Sequence, residues 1–337
     1  MTDLPRGWVW ATVGELTDVQ LGRQRSPKNH IGPHMRLPDA SLSRMSYWFF
    51  RDAALRGRFG EAGRGVNIRH LGKAGLTRFG VPVPPLAEQE RIVAAIEEHF
   101  SRLDAAKASL QSACIKVELL KQQVLEGSLI GHPVRLGQLL AEPLRNGLSA
   151  KRSDDGNIRI LTLTAVTKAA FTEYNTKLAK VEQHRAQDLF LHPGDILIQR
   201  SNTPELVGTA AIYEGPDQWA IFPDLLVRVR VRPRVDPAYV ELALRSRRLR
   251  RYFQQAAQGI AGSMPKISQA TVERAEISLP SIKRQREIVR VVRDAFDDIG
   301  RLHASITFEL NRSRALRRSI LSAAFSGRLI SQDSGDE

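Results

Sequence analysis

Asp236-Pro237-Ala238-Tyr239 is the segment of this sequence that comes nearest to an enzymatic signature. It stands one residue away from the (Asn/Asp)-Pro-Pro-(Tyr/Phe) loop of adenine amino-methyltransferases. In such a loop polar groups hold the exocyclic amine while an aromatic ring stacks on the flipped base. Here Ala238 replaces the second proline, and the segment opens a basic helix where a methyl-transfer loop would close a cofactor-binding strand. Asp236 therefore reads as a helix N-cap, with Pro237 in the first turn. His30 and His34 are four apart, but Gly32 and Pro33 between them prevent the helix that would aim both at one metal ion. Gly72-Lys73 has neither the upstream glycine nor the following hydroxyl of a phosphate loop, and Gly60, Gly63 and Gly65 follow a helix instead of a strand and read as a loop. The single cysteine, Cys114, excludes an intrachain disulfide and a cysteine-built zinc cage. The sequence assigns no catalytic residue, no metal ligand and no cofactor to this chain, and a reducing cytoplasm is the expected compartment.

Binding chemistry is easier to place. Fifty Lys and Arg against 36 Asp and Glu leave a formal charge of +14, a field that favours a polyanion such as nucleic acid. The excess is uneven: +7 over 1–80, −2 over 81–131, +6 over 132–280 and +3 over 281–337. Two loops in comparable places carry groups that pair with phosphates or base edges. One holds Arg23, Gln24, Arg25, Lys28 and Asn29; the other holds Arg145, Asn146, Lys151 and Arg152. A solvated polar loop has the same composition, and the basic charge of both copies favours DNA contact. Arg200-Ser201-Asn202, just after a predicted strand, and Lys266 complete the candidate DNA-binding set. Arg245, Arg247, Arg248, Arg250 and Arg251 spread round a helix at 100° per residue, so only a subset can face DNA.

The elements that must carry these loops come from an internal repeat. With a constant offset of 196, Pro84, Gln89, Ile92, Val93, Phe100, Ala108, Ser109, Leu120, Leu125 and Gly131 fall on identical residues, from Pro280 and Gln285 to Leu321 and Gly327. Each repeated segment follows a proline-bearing strand end and reads as one long helix. In the first, Val93, Ile96, Phe100, Leu103, Leu110, Cys114, Val117 and Val124 step by threes and fours as a coiled-coil seam does, interrupted by Lys107 and Lys121. In the second, Val289, Val292, Phe296, Ile299, Ile306, Leu310 and Ile320 do the same, interrupted by His303, Ser313 and Arg317. Two amphipathic helices packed on their own domains would share part of this pattern. A heptad sustained in both copies favours helix-on-helix pairing.

Between the helices, 132–280 reads as mixed α/β. Ile158–Thr164, Asp195–Ile198 and Leu225–Val231 are predicted strands, and Pro237–Gln258 a helix. The region before the first helix is shorter. Val13-Gly14-Glu15-Leu16 resembles Leu136-Gly137-Gln138-Leu139 at an offset of 123, whereas Arg51, Leu55 and Phe59 resemble Arg245, Leu249 and Phe253 at 194. From Gly14 to Gln89 is 75 positions and from Gly137 to Gln285 is 148, so the first copy is 73 short, over roughly 159–231 of the second. At 337 residues, with 42% hydrophobic and 26% charged residues, the chain is ordinary globular material for more than one domain. No run of 18 apolar residues predicts a membrane span, and the opening residues, with Asp3 and Arg6, predict no secretion signal.

Taken together, these residues resemble the specificity subunits of type I restriction-modification systems. Leu4-Pro5-Arg6-Gly7-Trp8-Val9-Trp10 is similar to the family's opening. Val83-Pro84-Pro85-Leu86-Ala87-Glu88-Gln89-Glu90-Arg91-Ile92-Val93 is similar to its strand-to-helix junction, and Ser326-Gly327-Arg328-Leu329 to its closing motif. Gly194-Asp195-Ile196-Leu197-Ile198, followed by Leu206-Val207-Gly208-Thr209-Ala210-Ala211-Ile212-Tyr213, resembles the core of a target-recognition domain. The resemblance implies target-recognition domains of mixed sheet and short helices separated by two long antiparallel helices. The expected organisation is a shortened recognition domain at 1–80, a spacer helix at 81–131, a full recognition domain at 132–280, a second spacer helix at 281–330 and a disordered tail at 331–337. It implies a non-enzymatic reader of double-stranded DNA with a bipartite site, joined by two adenine methyltransferase subunits and a motor-nuclease subunit. S-adenosylmethionine would be bound by the methyltransferase and not by this chain. The first region departs from the pattern in lacking the Gly-Asp-Ile-Leu and Val-Gly-x-Ala elements. This raises an alternative, a degenerate subunit that docks methyltransferases without full DNA recognition.

Overall fold

The computed structural model describes residues 4–18, 40–62, 71–258 and 264–331. The loop holding Arg23, Gln24, Arg25, Lys28, Asn29, His30 and His34 lies outside the described residues, as does the tail from 332 on. The chain forms two compact units: Met1–Ile115 with His303–Glu337, and Lys116–Leu302.

The first unit begins with β1 (Val9–Thr12) and the short α1 (Val13–Leu16), continues through α2 (Ala40–Leu55), α3 (Arg58–Ala62) and α4 (Lys73–Thr77), and returns on β2 (Gly80–Val83) into α5 (Leu86–Ser128). Gly60, read as loop from sequence, lies within α3. β1 and β2 pair antiparallel, Val9 opposite Val83. Pro84 and Pro85 end the strand, because neither can extend a ladder nor sit inside a helix, and α5 starts at the next residue. Trp8 is buried against Ile92, Ile96 and Phe100 of α5, and its indole N–H donates to Glu88 Oε2 at 3.0 Å. A second cluster joins Val13, Phe49, Ala53, Phe79 and Val81.

The second unit repeats this base and builds on it. β3 (His132–Arg135) pairs antiparallel with β10 (Glu276–Leu279), as β1 does with β2. Inserted between them are β4 (Arg145–Asn146), β5 (Ile158–Leu161), α6 (Leu163–Thr167), β6 (Thr176–Ala179), α7 (Gln183–Ala186), β7 (Ile196–Gln199), β8 (Ala210–Ile212) and β9 (Leu226–Val229). Then come α8 (Pro237–Leu244), α9 (Arg247–Ala256) and α10 (Gln269–Glu273), and after β10 the long α11 (Ile282–Ala324). Four strands form one sheet in the order β4-β9-β7-β8, and β5 pairs with β6. Among the described residues the first unit has no counterpart to β4 through β9. Leu55 shows what that costs: it is 51% exposed, whereas its equivalent Leu249 is 1% exposed in the core formed with β7 and β9.

Several sequence expectations shift at their edges. The strand expected over 158–164 ends at Leu161, because Thr162 begins a helical turn whose residues Ala165 and Val166 are buried. The helix expected over 237–258 breaks at Ser246, which leaves helical geometry to cap α9 by accepting the Leu249 N–H at 3.3 Å.

α5 and α11 each hold 43 residues, about 65 Å of helix at 1.5 Å per residue. Within the first unit Ile92, Ile96 and Phe100 meet Leu321 and Ala324; within the second Leu125 meets Ile288, Val289 and Val292. Within each unit the partner on α11 falls in number as that on α5 rises, from Ile92 with Leu321 to Asp104 with Arg317 and from Lys121 with Phe296 to Leu125 with Ile288, so the paired stretches run antiparallel. Every seam residue read from the heptads is buried or half-buried. Ile92, Leu125, Ile288 and Leu321 also belong to the seam, and the alternation of threes and fours passed over them. No described helix is long and apolar enough to cross a membrane.

Candidate nucleic-acid interface

Strand register brings the second basic loop and the Arg200 segment together. β4 and β7 both run antiparallel to β9, with Asn146 opposite Val227 and Gln199 opposite Leu226. The chain leaving β4 and the chain leaving β7 therefore emerge at the same end of the sheet, where β9 begins. Lys266 joins them through a bridge to Ser201, with the Ile267 N–H donating to the Arg200 carbonyl at 2.8 Å. Gln269 donates to Asn146 Oδ1 at 3.1 Å, and the Ser149 hydroxyl to Asp224 Oδ1 at 2.5 Å. Asn146, Arg200, Asn202 and Lys266 thus meet at one end of the sheet, while Arg145, one residue earlier on β4, turns to the other face toward Asp188.

The candidate side chains are not equally free. Lys151 and Lys266 are exposed. Arg145 is exposed but sits 3.3 Å from Asp188, and Arg152 lies 3.8 Å from Asp154. Arg200 is half-buried; its Nη1 donates to the Asp224 carbonyl at 3.4 Å, and its buried Nε has no partner among the described residues. Asn202 donates to Gln199 Oε1 at 2.6 Å and accepts from the Thr203 N–H, which fixes the turn after β7. Ser201 departs from expectation. It is fully buried beneath the Lys266 bridge, so its hydroxyl cannot reach a nucleic acid. Strand alternation after β7 turns this residue inward while its two neighbours face out.

Two of the unit's arginines are spent inside. Arg228, only 3% exposed, donates to Glu142 Oε1 at 2.8 Å and to the carbonyls of Asp188 and Phe190. Arg230 grips Asp195 with two bonds, Nε to Oδ1 at 2.7 Å and Nη2 to Oδ2 at 2.8 Å, and reaches Glu142 as well. Burial pulls the Arg228 pKa below its ordinary value, while the Asp195 hydrogen bond holds that of Arg230 above it. The alternating arginines of β9 are core ion pairs and not a reading face. The aspartate of Gly194-Asp195-Ile196-Leu197 is the anchor of Arg230, and it also accepts the His192 N–H at 2.9 Å.

Asp236 caps α8 as the sequence indicated, accepting from Ala238 N at 2.9 Å and Tyr239 N at 3.4 Å. Tyr239 is fully buried and donates to the Ser278 carbonyl at 2.5 Å, and burial pushes its pKa up to about 12. A ring so placed cannot stack on a flipped base. The Asp236 carboxylate is engaged at the helix end, its Oδ1 taking both N–H groups. Gln285 closes the junction: its Nε2 donates to the Pro280 carbonyl at 2.8 Å and its Oε1 accepts from Asp236 N at 2.8 Å. Its repeat equivalent, Gln89, makes the first bond to Pro84 at 2.9 Å, but its buried Oε1 has no partner among the described residues.

Comparison with known proteins gives these features a context. The chain is 27% identical over 303 residues to the specificity subunit of the type I restriction enzyme EcoKI from Escherichia coli (strain K12), covering 84% of this chain and 65% of that protein. It is 26% identical over 302 residues to the StySPI specificity subunit from Salmonella potsdam, with the same shares covered. It therefore spans 65% of the length of these curated relatives. No protein-family model matches the chain. Among solved structures, a chain from a study of complex assembly and conformational transition of the type I R-M system matches 97% of this chain and 100% of its own, with a TM-score of 0.75 at 17% identity. The HsdS subunit from Thermoanaerobacter tengcongensis matches 97% of this chain and 98% of its own, with a TM-score of 0.56 at 18% identity. The mixed α/β fold with two long helices is the fold of these structures.

Proposed function

We propose that this chain, a homologue of type I restriction enzyme specificity subunits, reads DNA sequence on behalf of partner subunits that modify it. The observation that carries this reading is the convergence of Asn146, Arg200, Asn202 and Lys266 at one end of the four-stranded sheet. Cations there can hold phosphates, and the amides and guanidinium forks can address base edges. The chain itself carries no catalytic step. Adenine methylation belongs to methyltransferase subunits, which bind S-adenosylmethionine and dock on the long helices; a motor-nuclease subunit joins them. Ile115, Leu119, Leu120, Phe308 and Leu316 stand between 43% and 66% exposed on those helices, apolar surface that a docked partner would cover.

The two units are unequal readers. The uncovered Leu55 and the Gln89 Oε1 without a partner among the described residues support a first unit that keeps the base of a recognition domain with, among those residues, no counterpart to the four-stranded sheet. DNA specificity then resides mainly in 132–280. Methylome mapping with the cognate methyltransferase, with this subunit present and absent, tests both statements. The expected result is subunit-dependent methylation at a motif dominated by one half-site. A full bipartite motif overturns the unequal-reader statement, and no subunit-dependent methylation overturns the function.

A further inference from the structure

The residues that break the helical seam are not simply tolerated. Lys121 and Arg317 are repeat equivalents, 196 apart, and so are Phe100 and Phe296. In the second unit the Lys121 ammonium stands over Phe296, 5.1 Å from the ring centre. In the first the Arg317 guanidinium stands over Phe100 at 4.8 Å. Each ring has a second cation: Arg245 lies 5.6 Å from Phe296, and Arg51 lies 5.8 Å from Phe100. Arg51 and Arg245 are equivalents too, at the offset of 194. Each is held by the side chain four residues earlier, Arg245 donating to Glu241 at 3.3 Å and Arg51 to the Tyr47 hydroxyl at 3.4 Å. In each unit, then, one ring on a long helix meets a cation from the opposite long helix and an arginine from the region that helix serves.

The face of an aromatic ring is negative and attracts cations, more strongly as water is excluded. Between the two copies lysine replaces arginine and tyrosine replaces glutamate, yet the cation, ring and cation persist; the shared property is the chemistry and not the residue. Arg245 closes α8, whose residues Tyr239 to Leu244 are all buried, several of them in the core beneath the β4-β9-β7-β8 sheet. A tilt of α8 on the long helices would carry the sheet, and the surface at its end, with it. We propose that Phe100 and Phe296 are joints that set each recognition region on the helix pair, with Arg51 and Arg245 as positioning residues.

The test uses the full chain with Phe296 replaced by phenylalanines carrying one, two or three fluorines. These weaken the ring's negative face with little change of shape. Hydrogen exchange of amides over 237–256 should quicken stepwise, reaching about fivefold for the trifluoro ring. Arg245→Met should quicken it comparably, Arg245→Lys should restore most of the protection, and fluorination should add less in the Arg245→Met and Lys121→Met backgrounds. Exchange indifferent to fluorination, or an equal fluorine effect in both Met backgrounds, overturns the joint. A consequence for DNA rests on the function proposed above: Arg245→Met should leave duplex affinity within about twofold, because the competent fraction stays near one while the rare open state grows about fivefold. If exchange responds as expected but the unaltered chain binds no duplex, the joint stands and that function falls.

Discussion

Charge counted along the sequence and charge available to DNA differ in this protein, and a salt titration separates them. Counterion release makes log K fall with log salt at about 0.9 per phosphate neutralised. The end of the sheet and the loop leaving β4 offer four cations, Lys151, Arg152, Arg200 and Lys266, of which Arg152 shares its charge with Asp154. Three to four effective contacts give a slope of about −2.7 to −3.6, or about 40- to 150-fold in affinity between 50 and 200 mM salt. Replacing Arg200 and Lys266 together by Gln should reduce the slope by about 1.8, whatever other surfaces contribute. Arg228→Met also removes one positive charge, but one buried against Glu142, so it should leave the slope unchanged. Fluorescence anisotropy of a labelled mixed-sequence duplex, titrated with KCl, reads both. The reasoning fails if the Arg200/Lys266 double variant keeps the original slope, or if a folded Arg228→Met chain loses a full contact.

Three further outcomes are expected. Asp195→Ala leaves the Arg230 fork half-buried with only Glu142, and should cost about 3–5 kcal/mol in urea unfolding of the second unit; a loss below 1 kcal/mol would show that the pair is not anchoring β7 to β9. Gly208→Ala places a methyl 2.5 Å from Phe253 Cβ at a φ of +75°, and should cost about 2–4 kcal/mol by the same measurement, whereas a neutral substitution would contradict the packing described. Burial raises the Glu241 pKa above 4.5, outweighing the opposing pull of Arg245, so the folded state keeps a proton that the unfolded state has released. Stability from this group is therefore lost as pH rises from about 4.5 through the folded value, and the stability of Glu241→Gln relative to the unaltered chain should grow over that range; a shrinking difference would reverse the sign of the argument.

The long helices were legible because their cause is local. A heptad of apolar residues after a proline pair specifies a helix and its buried face without knowledge of the rest of the chain, and the offset of 196 showed it twice. The cap at Asp236 is likewise a matter of neighbouring atoms. The recognition motifs named a family, but not the role of each residue within them. Asp195 is a structural anchor because Arg230, 35 residues away in sequence, arrives beside it through the β7-β9 pairing. Arg228 is internal because Glu142 reaches it from 86 residues away. Ser201 faces inward, and the helix after Asp236 breaks at Ser246, for reasons that lie in packing. Lys121 and Arg317 looked like flaws in a seam until the opposite helix supplied a ring to each. Sequence periodicity determined the two long helices and the strands that lead into them, and that the chain repeats itself. Only the tertiary structure decided which charges are neutralised, because a carboxylate or an aromatic face acts over a few ångströms and the chain brings distant residues within that range.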